Sequence, residues 1–502
     1  MGRAALTRNI AFGIVVVSSL VTVPWIIQVL GGHWYGIWVI VGTLMGYFGV
    51  LDFGLVSATV RFLGTNWAED KQAEIGRVLS TSVYGLFLLS AVALLICAAA
   101  WLYAPLLLAN SDNIPMLRTV ILIIGLNIAI SLPASVFQAV LTVQLRYDLI
   151  AIATGLQAAI RIGLIYAVLR FGGTIVEIAL VTLALNLFAY LLHFAFSIRS
   201  LPPGTFSVRN VSNAQLFSLI DFGRFTFLTS IGDILRFRVD VLVIGAAMTS
   251  AAAGIYNIGL VLHNMAANVV ANIVGGTQPL FAGYYAEDRI DLIREKLLLI
   301  TRFSTALCCM ASGTLIMLAP SFIDIWVGPD FTGAVWPLII LAIVMPLGLS
   351  QNAAVQVLYA IAKHRYNAYL TICEAVANVL LSVLLVQYFG LIGIALGTAI
   401  PIFVTKTVFL PRYVCTNIDL SIVSYFGAMV LPALKVGVLQ APCAALLILS
   451  GIDGFWQMLP VVMCWQLFAG AVLIRFLISE EDYTYISDAV PYVSILRRRK
   501  AA

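Results

Sequence analysis

The chain has 502 residues, 62% of them hydrophobic and only 10% charged, against roughly a quarter charged in an ordinary soluble domain. That composition excludes a soluble globular protein and marks an integral membrane protein. The net charge of +5 belongs to the side bias of Lys and Arg described below and is no sign of nucleic-acid binding.

Segments of about 20 mostly apolar residues recur at 9-29, 35-61, 78-108, 116-142, 148-169, 174-198, 222-247, 252-280, 299-326, 334-361, 367-389, 391-411, 428-450 and 456-478. They predict an all-α polytopic membrane protein of about 14 transmembrane helices. The first segment follows Arg3 and Arg8 but has no small-residue cleavage site and runs through Pro24 and Trp25 to Leu30, so it reads as a retained helix. Of the 28 Lys and Arg, only Arg118 and Arg170 fall at outer ends, and Arg161, Arg236 and Arg238 fall within spans. The remainder occupy one side, which places both termini in the cytoplasm and supports an even helix count. The outer loops are short, the longest running from Tyr103 to Pro115.

The second segment begins Tyr35-Gly36-Ile37-Trp38 and closes Leu51-Asp52-Phe53-Gly54-Leu55, with Arg61 beyond it and Ala68-Glu69-Asp70-Lys71 in the next loop. The same order returns 218 residues later as Gly254-Ile255-Tyr256 and Ala286-Glu287-Asp288-Arg289. Phe171-Gly172 and Phe389-Gly390 keep that offset, and Arg146-Tyr147 and Arg365-Tyr366 stand 219 apart. An even number of helices per repeat gives two parallel six-helix lobes, 1-210 and 211-418, followed by two extra helices and a cytoplasmic tail, 419-502. The loop Arg199 to Asp221, with Pro202-Pro203-Gly204, reads as the polar linker between lobes. Ile290, Ile293 and Leu297 mark an amphipathic face that suits either a membrane interface or packing on the bundle. Gly42-x-x-x-Gly46 and Gly393-x-x-x-Gly397 are faces for close helix approach. The tail ends Arg497-Arg498-Arg499-Lys500, suited to anionic lipid.

No catalytic signature occurs: the four histidines are scattered, and there is no nucleophile elbow, metalloprotease motif or phosphate-binding glycine loop. The seven cysteines show neither disulfide nor metal-ligand spacing. The chemistry lies in the intramembrane charges. Gly232 to Gly245 places Asp233, Arg236, Arg238 and Asp240 within one predicted span. Facing lipid, each would cost roughly 2.5–3.5 kcal/mol, so at least part of this helix lines a wet or charge-paired interior. Its counterpart in the first repeat, Ile14 to Ile27, carries no charge. Arg161 lies mid-span in the fifth segment, Glu374 in the eleventh and Asp52 in the inner half of the second. Guanidinium groups present planar forks of donors that suit phosphate or carboxylate. Arg161, Arg236 and Arg238 are therefore the candidate contacts to an anionic head group, with Arg61 and Lys406 toward the cytoplasmic ends. A structural ion-pair network among Arg161, Arg236, Asp233, Asp240 and Glu374 is the alternative. Asp52, Asp233, Asp240 and Glu374 are the candidate ion-coupling groups, and desolvation and neighbouring arginines act in opposite directions on each.

The stretches Tyr35 to Trp38, Leu51 to Leu55 with Arg61, Asp240-Val-Leu-Val-Ile-Gly245 and Gly254-Ile255-Tyr256 resemble the polysaccharide-exporter branch of the MOP superfamily, over about 410 residues. The resemblance implies a twelve-helix core enclosing a cationic cavity. It also implies transfer of a polyprenyl-diphosphate-linked oligosaccharide across the bacterial inner membrane for O-antigen, capsule or exopolysaccharide assembly. Partners so implied are that lipid, the surrounding membrane lipids, and a polysaccharide polymerase with its export machinery. No cofactor is expected beyond a proton or sodium gradient. The rival readings are an ion-coupled multidrug or metabolite antiporter of the same superfamily, a membrane polymerase or ligase, and a non-transporting scaffold.

Overall fold

The structure is a computed structural model that describes residues 2–48, 51–103, 114–201, 204–237, 239–274, 277–363, 365–452 and 454–477. Arg238 and the cluster Arg497 to Lys500 lie outside the described residues, as do the side chains of Asp233 and Arg236. Every regular element described is a helix, and eleven stretches are long and apolar enough to cross a membrane. The chain divides into two compact units, Met1–Ile234 and Leu235–Ala502.

In the first unit the helices are α1 Gly2–Phe48, α2 Leu55–Ala68, α3 Gln72–Leu102, α4 Ile114–Val143, α5 Tyr147–Arg170, α6 Ile175–Ile198 and α7 Asn213–Phe237. The predicted segments 9-29 and 35-61 are redrawn. Their first parts join in α1, which turns at Gly31, where φ is 81° and only glycine is unstrained. The second segment then stops at Leu51-Asp52-Phe53-Gly54, a turn with φ of 49° at Phe53 and 73° at Gly54. This turn lies against α7: a Cβ on Gly223 would meet the Phe53 carbonyl oxygen at 2.6 Å, and one on Gly54 would strike the Gly223 backbone. The rings of Phe53 and Phe227 stack at 4.5 Å beside it. The family-bearing Asp-Phe-Gly stretch therefore makes a glycine-on-glycine junction.

The predicted linker is shorter than expected, because Leu216 and Leu219 carry α7 into the apolar core as far back as Asn213. Residues before it are tied to α3, where Ser80 donates to the Thr205 carbonyl at 2.9 Å and Thr81 accepts from Ser212 N–H at 3.1 Å. Helix α6 starts on a capping box in which Thr174 and Glu177 satisfy each other's free amides.

The second unit contains α8 Val239–Ala247, α9 Ser250–Val274, α10 Gln278–Ala286, α11 Ile290–Val327, α12 Val335–Ser350, α13 Asn352–Ala360, α14 Arg365–Phe389, α15 Leu391–Val404, α16 Leu410–Asn417, α17 Ile422–Ser450 and α18 Phe455–Leu477. Ile293 and Leu297 are fully buried among Phe281, Ala354, Val357 and Leu410, so the amphipathic face of the α11 start packs on the bundle. Gly393 and Gly397 sit directly on the α14 backbone at Leu385, Val386 and Ser382, whereas a Cβ on Gly42 would meet nothing within 4 Å. The first glycine pair thus lacks the expected close neighbour at Gly42. Helices α17 and α18 pack on α11 through Cys443, Leu447, Val462 and Leu318.

Two of the stretches at the 218-residue offset share their backbone detail. After α2, Glu69, Asp70 and Lys71 donate to the carbonyls of Thr65, Trp67 and Asn66; after α10, Glu287, Asp288 and Arg289 donate to those of Gly283, Tyr285 and Tyr284. Both are helix-ending motifs with a left-handed aspartate, φ 52° at Asp70 and 56° at Asp288, a conformation that Asp tolerates better than most residues. Every bond recurs at the 218-residue offset.

Candidate substrate and ion sites

Among the candidates in the first unit, Asp52 belongs to the turn and not to a membrane helix. Its carboxylate accepts the Gly54 N–H at 2.9 Å, and its carbonyl accepts the Leu55 N–H at 2.8 Å, which together set the start of α2. Arg61, one face along α2, is exposed and holds its guanidinium 4.3 Å from the centre of the Phe222 ring. It opens on a cleft of about 630 Å³ lined also by Phe62, Phe217, Ser218 and Asp221. Asp221 is engaged by Arg224 at 3.0 Å. The cleft therefore offers an arginine backed by aromatic rings, a combination that binds anions and keeps the guanidinium plane fixed.

Arg161 sits in the middle of α5, and its Nε is buried without a hydrogen-bond partner among the described residues. One turn earlier, Gln157 donates to Asn186 of α6 at 2.6 Å, and Asn186 donates to Asn127 of α4 at 3.2 Å. Three helices are thus pinned around the turn that presents Arg161. A buried guanidinium nitrogen without a partner is costly in an apolar helix, and its planar donors have the geometry to bind an anion.

In the second unit, the predicted span 222-247 comprises the end of α7 and all of α8, on either side of residue 238. Asp240, at the start of α8, is 3% exposed. One oxygen, Oδ2, accepts from Tyr256 of α9 at 2.8 Å and from Thr398 of α15 at 2.7 Å. Asn378 of α14 donates in turn to Thr398 Oγ1 at 2.9 Å. The other oxygen, Oδ1, is buried with no hydrogen-bond partner among the described residues. Two other helices thus supply hydroxyls to this carboxylate, while the ion pairs of Arg236 with Asp233 and Asp240 rest on side chains outside the described residues. A carboxylate held this way has lone pairs left for a proton or a small hard cation.

Glu374 and Lys406 form a second buried pair, with Nζ 4.0 Å from Oε2 and side-chain exposures of 7% for the lysine and 1% for the glutamate. Thr405 adds a bond to the same carboxylate oxygen at 2.7 Å. Lys406 lies on a π-helical turn, Thr405–Phe409, one turn beyond Pro401, where the loss of a backbone donor loosens the ladder. It does not snorkel. Nearby, Gln351 donates to the Lys406 carbonyl at 3.0 Å and accepts from Tyr425 at 2.6 Å.

Reasoning from charge alone passed over Tyr256, Asn378, Thr398, Gln351 and Tyr425, as well as the Asn127, Gln157 and Asn186 chain. Their common signal is a hydrogen-bonding side chain inside an apolar span, which needs a partner there as surely as a charge does.

Comparison with known proteins follows these features. Residues 29–336 match a family described as polysaccharide biosynthesis protein. EpsK, a membrane protein of Bacillus subtilis (strain 168), is 24% identical over 416 residues, covering 80% of this chain and 81% of EpsK. The lipid II flippase MurJ in an inward closed conformation superposes with a TM-score of 0.73 at 13% identity, covering 94% of this chain and 99% of MurJ. An inward-facing multidrug resistance MATE transporter of the MOP superfamily gives 0.62 at 17% identity, covering 83% of this chain and 94% of that one. At these identities the structural likeness speaks to fold, and the family match speaks to kinship. The chain is a multi-pass membrane protein with the MOP-superfamily fold and belongs to the polysaccharide biosynthesis protein family.

Proposed function

We propose that the protein is a flippase that carries a polyprenyl-diphosphate-linked oligosaccharide from the cytoplasmic to the periplasmic leaflet of a bacterial inner membrane, with both termini in the cytoplasm. It serves surface polysaccharide assembly and works by alternating access of two lobes, 1-210 and 211-418. The observation that carries this reading is Arg161, a mid-helix guanidinium whose Nε is buried without a partner among the described residues. Family membership and a fold shared with a lipid II flippase support it. The diphosphate is the guest whose charge and forked oxygens match arginine. Arg61, Arg236 and Arg238 extend the same chemistry. The isoprenoid tail stays in lipid while the head group passes.

The test is transfer of a fluorescent polyprenyl-diphosphate sugar in proteoliposomes. Arg161→Ala is expected to lower transfer at least tenfold with normal folding, and unchanged transfer would remove the assignment. Asp240 is the candidate coupling group, through Oδ1, which meets no partner among the described residues. Transfer indifferent to imposed proton and sodium gradients would end that part. An ion-coupled antiporter of cationic drugs is the second reading, favoured by the fold shared with a MATE transporter. Export of cationic dyes by the purified protein would select it.

A further inference from the structure

The second unit contains a cleft that the transport reading leaves unused. It lies between α11 and α17, has a volume of about 450 Å³, and is lined by Leu298, Arg302, Ser424, Gly427, Leu431 and Lys435 among others. No carboxylate is among the described residues that line it. Neither Arg302 nor Lys435 makes an ion pair with a described residue, although the neighbouring Arg294 and Lys296 both do. Two cations converging on one cleft without an anion repel each other, so the site is built for a negative guest.

Depth and surroundings identify the guest. Arg302 stands 25 residues before the α11 end at Val327, about 37 Å at 1.5 Å per residue. That exceeds the roughly 30 Å of hydrocarbon, so Arg302 reaches head-group level. Lys435 stands 15 residues before Ser450, about 22 Å, within the acyl region, where its long stem directs the amine back toward the phosphate layer. The starts of α11 and α17 lie at the same end of the unit, since Arg294 bonds the Ile418 carbonyl and pairs with Asp419 just ahead of α17. Along α17 the cleft is continuous with an exposed apolar strip of Val430, Leu431, Leu434 and Val438, the last two 61% and 72% exposed. A free phosphate would use the cations and leave the strip bare; a phospholipid uses both.

We propose that the cleft between α11 and α17 binds one anionic phospholipid of the leaflet at that end. Its phosphate lies between Arg302 and Lys435, and an acyl chain lies along Leu431, Leu434 and Val438. Such a lipid ties an extra C-terminal helix to the lobe. Because these residues belong to neither proposed transport site, the inference is independent of the transport reading.

The test uses the full-length protein in detergent, titrated with phosphatidylglycerol and followed by native mass spectrometry and thermal unfolding. Two variants probe the cleft. Arg302→Gln with Lys435→Gln removes the charge. Gly427→Phe fills the space without changing charge, at a position where a Cβ meets nothing within 4 Å. At roughly 1 kcal/mol per basic residue near an anionic surface, the double charge variant is expected to bind phosphatidylglycerol about thirtyfold more weakly than the parent, and Gly427→Phe, which occupies the space the lipid needs, at least about tenfold more weakly. Phosphatidylcholine is expected to bind at least tenfold more weakly than phosphatidylglycerol to the parent. Unchanged retention in both variants, or equal retention of phosphatidylcholine, would overturn the proposal. Displacement of the lipid by millimolar inorganic phosphate would assign the cleft to free phosphate and overturn it as well.

Discussion

Asp240 allows a stability test in which charge cancels. Asp240→Asn and Asp240→Ala both remove the carboxylate, so any cost of burying that charge is relieved equally in each. They differ in what remains for Tyr256 and Thr398. The asparagine carbonyl replaces Oδ2 as acceptor of both hydroxyls, at 2.8 Å and 2.7 Å in the parent. Alanine removes the acceptor of the buried Tyr256 hydroxyl, while Thr398 falls back on the Ile394 carbonyl at 3.4 Å. A buried hydroxyl without a partner costs about 1–3 kcal/mol, and the alanine cavity adds to it. Asp240→Ala should therefore unfold several degrees below Asp240→Asn, at about 2–4 °C per kcal/mol for a unit of this size. The assay is thermal unfolding of both purified variants over a range of sodium concentration and pH. A cation held at Oδ1 stabilises the parent by about 1.4 kcal/mol at roughly ten times its dissociation constant, a gain that Asp240→Asn should lose. Equal stability of the two variants would refute the hydrogen-bond account. Parental cation dependence in Asp240→Asn would refute the coupling role.

Three other outcomes are expected. Gly223→Ala should cost about 2–4 kcal/mol, because its Cβ would meet the Phe53 carbonyl at 2.6 Å; Gly283→Ala, in an open helical position, should be neutral or stabilising by up to about 1 kcal/mol, as read by denaturation in detergent. Lys406→Met alone should lose about 3–5 kcal/mol by stranding Glu374, and adding Glu374→Gln should restore most of it, which a double-mutant cycle measures. Arg61→Ala should raise the half-saturating concentration of a polyprenyl-diphosphate sugar about tenfold, the loss of one charge-assisted contact, and Arg61→Lys should recover only part of it because the ring at Phe222 backs a planar guanidinium.

Membrane residence and helical class were legible in sequence because hydrophobicity and period are properties of single segments. The repeat matches at Asp70 and Asp288 became left-handed helix ends with the same three hydrogen bonds. Breaks were harder to place. Leu51 to Gly54 is as apolar as its surroundings, and only the approach of Gly223 explains why the chain turns there. Arg161 was found as a charge in an apolar run, and its Nε has no partner among the described residues. The partners of Asp240 were hidden for a different reason. Tyr256, Asn378 and Thr398 are 16, 138 and 158 residues away, and a neutral hydroxyl in a helix gives no energetic alarm comparable to a charge. Lys406 was read as lying toward a cytoplasmic end, whereas the π turn after Pro401 places it in a buried pair with Glu374.

The central claim is that an arginine inside the first lobe receives the diphosphate of a lipid-linked sugar. The most direct measurement is the initial rate at which a fluorescent polyprenyl-diphosphate oligosaccharide becomes accessible on the far leaflet of proteoliposomes, comparing the parent with Arg161→Ala and Arg161→Lys. The account predicts at least a tenfold loss for Arg161→Ala and partial recovery for Arg161→Lys, with unfolding temperatures unchanged or raised because the variant no longer buries a guanidinium nitrogen without a partner. Parental transfer rates in Arg161→Ala would contradict it.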